Sequence, residues 1–101
     1  MPDLVFLLSA EIDIQSAYEF YEQYQDARGD LFLRHLETAF THLRTFPESA
    51  PLIHGIYRRL LVPRFPYGIF YAVESRIIVA AVRYLGQDPE QIVRRLGGPQ
   101  T

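Results

Sequence analysis

The chain reads as an α+β domain of order β-α-α-β-β-β with a short C-terminal helix, a helical hairpin packed on a small, mainly antiparallel sheet. Three observations predict this. Apolar residues recur at helical spacing in two stretches before Phe46. After Tyr57 the pattern changes to short apolar or alternating runs separated by turn residues, which marks strands. A lone apolar run, Leu4 to Leu8, precedes the helices and is long enough only for a buried strand.

Each element has its local reason. Ser9 stands where a helix N-cap is expected, and Glu11 and Asp13 follow where the positive end of the helix dipole favours acids. Ile14, Ala17, Tyr18, Tyr21 and Tyr24 carry that helix to about Asp26, and a break at Arg28-Gly29-Asp30 leads into the next. Phe32, Leu36, Ala39, Phe40 and Leu43 form the stripe of the second helix, which must end near Phe46 because Pro47 disfavours a helical residue before it. Pro47 to Gly55 reads as a connector. Strands are expected at about Tyr57 to Val62, Tyr67 to Val73 and Arg76 to Tyr84, with a tight turn at Glu74-Ser75. In the last strand Ile77, Val79, Ala81 and Arg83 should share one face and Ile78, Ala80, Val82 and Tyr84 the other. Asp88, Pro89 and Gln91 then read as N-cap, N1 and N3 of a short helix closed by Gly97-Gly98.

With 101 residues the chain is expected to form one domain spanning 1–101, with no internal repeat and no low-complexity linker. The 49% hydrophobic and 14% aromatic content is that of a folded globule. No apolar run approaches the ~20 residues of a membrane span, so no membrane association is expected. The absence of cysteine removes disulfides, thiol nucleophiles and Cys-based zinc sites, and agrees with a cytoplasmic location. His35 and His42, seven apart on the second helix, lack a third ligand at suitable spacing, and His54 sits in a loop. No metal, no cofactor, no glycine-rich phosphate loop and no Ser/His/Asp set is expected.

The net charge of −2 hides an asymmetry: residues 1–51 carry nine acids and three arginines, whereas residues 52–101 carry seven arginines and three acids. All ten basic residues are arginine, the side chain suited to bidentate carboxylate or phosphate contacts. An acidic helical half and a basic strand half point to a partner whose acidic groups meet the second half.

The first helix, with Ala10, Asp13, Ile14, Ala17, Tyr18 and Tyr21, and above all the segment containing Arg59, Leu61, Val62, Arg64, Phe65, Pro66, Tyr67, Ile69 and Tyr71 followed by Asp88-Pro89, resemble the RelE/ParE family of type II toxins, nearest its ParE-like members. The likeness runs over roughly Leu4 to Arg95. It implies a toxin neutralised by a cognate antitoxin that wraps the sheet and hairpin with a partly disordered tail, giving a hetero-oligomer. RelE-like members cut mRNA on the ribosome with basic residues and a C-terminal tyrosine; ParE-like members inhibit DNA gyrase by binding. Cleavage through the 2′-OH needs a proton acceptor, charge stabilisation and a proton donor. Here Gly68 follows Tyr67 where the RelE-like pattern has an arginine, Leu60 breaks the alternation begun at Arg58, and Gln91, Ile92 and Val93 stand where a tyrosine is expected. Arg83 alone occupies a comparable place.

The resemblance therefore implies a binding protein without catalytic residues and without direct, specific nucleic-acid binding; the alternatives are a ribosome-dependent mRNA endonuclease and a non-toxic antitoxin-binding member. The candidate partner-binding residues are Arg58, Arg59, Arg64, Tyr67, Arg83, Tyr84, Arg94 and Arg95. Structural roles stand beside these: Arg58 or Arg59 paired with a helix acid such as Glu37, Tyr67 in the core, and Arg94 and Arg95 as cations at a helix C-terminus.

Overall fold

The computed structural model describes residues 3–97. The elements run β1 (Leu4–Phe6), α1 (Leu8–Tyr24), α2 (Arg28–Thr45), β2 (Leu52–His54), β3 (Tyr57–Leu61), β4 (Tyr67–Val73), β5 (Ile77–Tyr84) and α3 (Pro89–Arg95). The α+β architecture is the expected one. One sheet of order β1-β5-β4-β3-β2 holds all five strands; β1 lies parallel to β5 and every other pairing is antiparallel. The hairpin α1–α2 covers one face, where Phe32, Leu36, Phe40 and Leu43 pack with Ile69, Tyr71, Val79 and Val82. On the other face Ile92 of α3 and Leu96 just beyond it pack against Phe70, Ala80 and Ala81.

Four details depart from expectation. β1 stops at Phe6: the Leu7 N–H donates to Val79 O at 3.0 Å while the Leu7 carbonyl accepts from Ala10 and Glu11, so Leu7 is the N-cap and the Ser9 hydroxyl donates instead to Ala80 O at 3.3 Å. The interhelical break falls at Gln25 to Ala27, with Ala27 at φ 67°, and Arg28-Gly29-Asp30 forms the first turn of α2. The connector hides a strand, β2, at the sheet edge. A β-bulge in β5 sets both Ala80 and Ala81 against Phe70. Val79 and Val82 thus share the hairpin face, and the simple alternation expected for this strand is broken. At the C-terminal end Asp88 caps α3 through Glu90 N–H and Gly97 takes φ 77°; Gly98 of the expected closing pair lies outside the described residues.

The connector before β3 is held from inside. The Tyr71 hydroxyl donates to Pro47 O at 2.8 Å, and Arg58 Nη1 donates to Glu48 O and Ala50 O at 3.1 and 2.7 Å. These bonds satisfy loop carbonyls next to the core and fix where β2 lies.

Asp13 ties the remaining parts together. At 7% exposure its carboxylate accepts from the Val82 N–H (3.0 Å), from Arg83 Nη1 (3.2 Å) and from both terminal nitrogens of Arg95 (3.1 and 2.7 Å). The pairing of β1 with β5 ends at Val79, and α1 brings Asp13 to the stretch of β5 that β1 does not reach. Only Glu11 occupies the acidic first-turn position, so Asp13 acts through tertiary contacts rather than through the helix dipole. Gly29 serves packing in a similar way: a Cβ there would lie 2.8 Å from the Tyr18 carbonyl oxygen and 2.7 Å from Glu22 Cγ, so the two helices approach to backbone contact.

Removing one charge of a buried pair typically costs about 3–5 kcal/mol. Asp13→Asn is expected to lose about 3 kcal/mol in urea unfolding and to raise amide exchange in α3, whereas Glu90→Gln, which breaks only the exposed Arg94–Glu90 pair at 3.6 Å, should change stability by less than about 0.5 kcal/mol. Equal effects would contradict the role given to Asp13. Gly29→Ala should lower the melting temperature although alanine favours a helix by about 1 kcal/mol over glycine, because the clash with a backbone oxygen cannot be relieved by a rotamer change; a stabilised variant would contradict the close approach.

Candidate partner-binding surfaces

α1 has concave surface on both flanks. On one side, a groove of about 600 Å³ runs between α1 and α2 over the end of β1, with Phe6, Ile14, Leu33, Leu36 and Phe40 as apolar lining and Glu11, Glu37, Arg34 and Arg44 as charged lining. Its walls are Glu11, Ile14 and Gln15 of α1 and Leu33, Leu36, Glu37 and Phe40 of α2, with Phe6 at the end of β1. Leu33, one residue beyond the buried Phe32 of the α2 stripe, is 37% exposed.

On the other side, a cleft of about 330 Å³ is walled by Phe20, Tyr67 and Tyr84 and has Asp13, Arg83 and Gln87 as its polar lining. The Tyr67 and Tyr84 rings meet edge to face with centroids 5.9 Å apart, and Tyr67 also joins the buried aromatic cluster of Tyr21, Phe32 and Phe65. Burial first, and the neighbouring Tyr21 second, raise the Tyr67 phenol above its ordinary pKa, so it is a neutral hydroxyl at physiological pH. Elsewhere Leu52 on β2, Ile56 between β2 and β3, and Leu61 at the end of β3 are each more than half exposed.

The sequence-predicted residues divide between these places. Tyr67, Arg83 and Tyr84 converge on the cleft, and Arg95 reaches it through Asp13. Arg58 is engaged with the Glu48 and Ala50 carbonyls rather than with Glu37. Arg59 lies opposite Phe70 in the β3–β4 ladder, its aliphatic stem over Gly68. Arg64 is exposed in the turn before β4 at φ 66°, and Arg94 is exposed on α3 beside Glu90. The basic half is thus partly answered within the molecule, since Arg83 and Arg95 meet an acid of the helical half.

Sequence reasoning missed the whole groove and, in the cleft, Asp13, Phe20 and Gln87. Phe20 carried a signal: a large aromatic lying off the buried Ala10, Asp13, Ala17, Tyr21 stripe, it is 58% exposed. Among the described residues no cluster of three or more His, Asp or Glu side chains could hold a metal ion, and no helix is long and apolar enough to cross a membrane.

No curated protein matches the chain. Among solved structures the fold is similar to a chain of the chromosomal ParDE TA system from P. aeruginosa, with TM-score 0.75 and 16% identity over 84% of this chain and 97% of that one. The family model for the ParE toxin of the type II toxin–antitoxin system, parDE, matches residues 4–89. That match spans both helices, the whole sheet and the start of α3, and the chain accordingly belongs to the ParE toxin family of type II toxin–antitoxin systems.

Proposed function

We propose that this toxin acts by binding alone: it inhibits DNA gyrase in the cytoplasm and is neutralised by a cognate antitoxin in a hetero-oligomeric complex. The observation that carries the non-enzymatic reading is the state of the guanidinium groups. A phosphodiester-cleaving site needs cations free to stabilise the developing charge. Arg83 and Arg95 instead share the buried Asp13 carboxylate. At Gly68, where a RelE-like enzyme would carry an arginine, a Cβ would lie 3.0 Å from Leu85 Cδ2 and 3.1 Å from Arg59 Cγ. A large side chain there requires its neighbours to move.

The α1–α2 groove supports the antitoxin part of the reading. Its lining is apolar with charges of both signs, which suits an amphipathic helix from a tail that orders on binding, with acids meeting Arg34 and Arg44. Of the residues put forward from sequence, Arg59, Arg64 and Arg94 remain available as surface cations for acidic partner groups, Arg58 and Arg95 would contribute mainly by shaping the surface, and Arg83 is engaged only in part by Asp13.

Expression of the chain alone in a bacterium is expected to cause filamentation with DNA damage, and the purified protein to inhibit gyrase supercoiling while leaving ribosome-bound mRNA intact. Cleaved message would show the endonuclease reading to be right; normal growth would favour the non-toxic one. Leu33→Asp should weaken the complex with the antitoxin encoded beside it by roughly tenfold to a hundredfold, the range of a central interface anchor, with unfolding unchanged. Undiminished affinity measured by calorimetry would remove the groove from the interface.

A further inference from the structure

We infer that the cleft between α1 and the end of β5 is a second binding site, one that takes a carboxylate carried beside an aromatic or apolar side chain in a partner polypeptide. The inference rests on the reading of the chain as a binding protein and adds a surface separate from the groove. The two concavities share no lining residue: Glu11, Ile14 and Gln15 of α1 face the groove, while Asp13, Ser16 and Phe20 face the cleft.

The walls supply the apolar half of the recognition. Phe20 and Tyr84 are 58% and 51% exposed, and large half-exposed aromatic rings around a concavity are the usual anchors of protein interfaces. They are already held in place. A Cβ on Gly86 would lie 2.3 Å from Tyr84 Cε2, so the Tyr84 ring lies directly across that glycine, and it also meets the Tyr67 ring edge to face. Phe20 is steadied by the Tyr21 ring at 5.2 Å. Rings that do not need to be ordered on binding lose little conformational freedom.

The floor supplies the charge. Two guanidiniums face one carboxylate, which leaves one positive charge uncompensated in the Asp13 cluster. Arg83 spends Nη1 on Asp13 and Nε on Gln87 Oε1, and its side chain remains 28% exposed; among the described residues Nη2 is the nitrogen left over. A single surplus charge at the end of an aromatic slot matches one carboxylate next to one ring or aliphatic side chain. It does not match a nucleic-acid strand, whose affinity comes from several phosphates neutralised together.

The test uses 3-phenylpropionate as the minimal ring-plus-carboxylate probe, with 3-phenylpropanamide and the dinucleotide UpA as comparators, titrated into the full chain and followed by NMR at the backbone amides and the arginine Nε–H groups. Expected are saturable shifts at Phe20, Arg83, Tyr84 and Gln87, with the acid binding about tenfold more tightly than the amide, the scale of a charge-assisted hydrogen bond. Arg83→Gln should abolish that preference. Because it also removes a partner of Asp13, two variants outside the ion cluster accompany it: Tyr84→Ala and Gly86→Ala should weaken both phenyl probes, and Leu33→Asp should weaken neither. Equal affinity for acid and amide, tighter binding of UpA, shifts confined to the groove, or no saturation would each overturn the inference. Absent probe binding with growth inhibition intact sinks the cleft alone; saturable binding by a chain that leaves growth and gyrase untouched supports the cleft and sinks the proposed function.

Discussion

The carboxylate of Asp13 is the point on which the rest of the molecule closes. It joins α1 to a backbone amide and a side chain of β5, about seventy positions away, and to the far end of α3, eighty-two positions away. Burying one charge costs several kcal/mol unless it is paired and fully hydrogen-bonded; here both conditions are met by four donors. The need for such a group follows from the shortness of β1. A three-residue strand leaves β5 without a partner on its β1 side beyond Val79, and an unpaired N–H next to the core must find an acceptor. A helix carrying an acid at the right turn supplies it.

That arrangement also explains why α1 is apolar on more than one side. Ala10, Asp13, Ala17 and Tyr21 face inward, yet Leu8, Ile12, Phe20 and Tyr24 are all more than half exposed. A helix that served only to cover the sheet would place polar residues there. On the proposed reading, α1 stands between the groove and the cleft and gives Ile14 to one and Phe20 to the other, so apolar surface on both flanks of this helix is left for a partner to cover.

The architecture was legible in the sequence because its signals were local. The α2 stripe, Pro47 after the second helix, and Asp88-Pro89 at the start of α3 each act within a turn or two, and α2 ends and α3 begins where expected. What could not be read depended on distant partners. Ser9 is a good N-cap by type, but the Ala80 carbonyl takes its hydroxyl. The β5 bulge has no composition of its own; an alanine pair is simply small enough to lie together against Phe70. β2 consists of three residues, too few to show a period. At the site, the arginine count was plain, but which arginines are already satisfied depends on Asp13, whose nearest sequence neighbours give no hint of Arg83 or Arg95. The groove arises from two helix flanks that no single periodicity marks.

The charge asymmetry between the halves takes a narrower meaning once these pairs are counted. Of the seven arginines after residue 51, Arg83 and Arg95 neutralise Asp13, Arg58 is bound to loop carbonyls, and Arg94 sits by Glu90. The arginines left over, Arg59 on β3 and Arg64 and Arg76 in turns, are dispersed rather than gathered into the stripe a nucleic-acid strand would need. Dispersed rim charges mainly set association rate and partner choice, while affinity comes from desolvated apolar anchors. On the proposed reading the division of labour is therefore fixed by the fold: arginines steer acidic partners toward the sheet side, and the groove and cleft flanking α1 hold them.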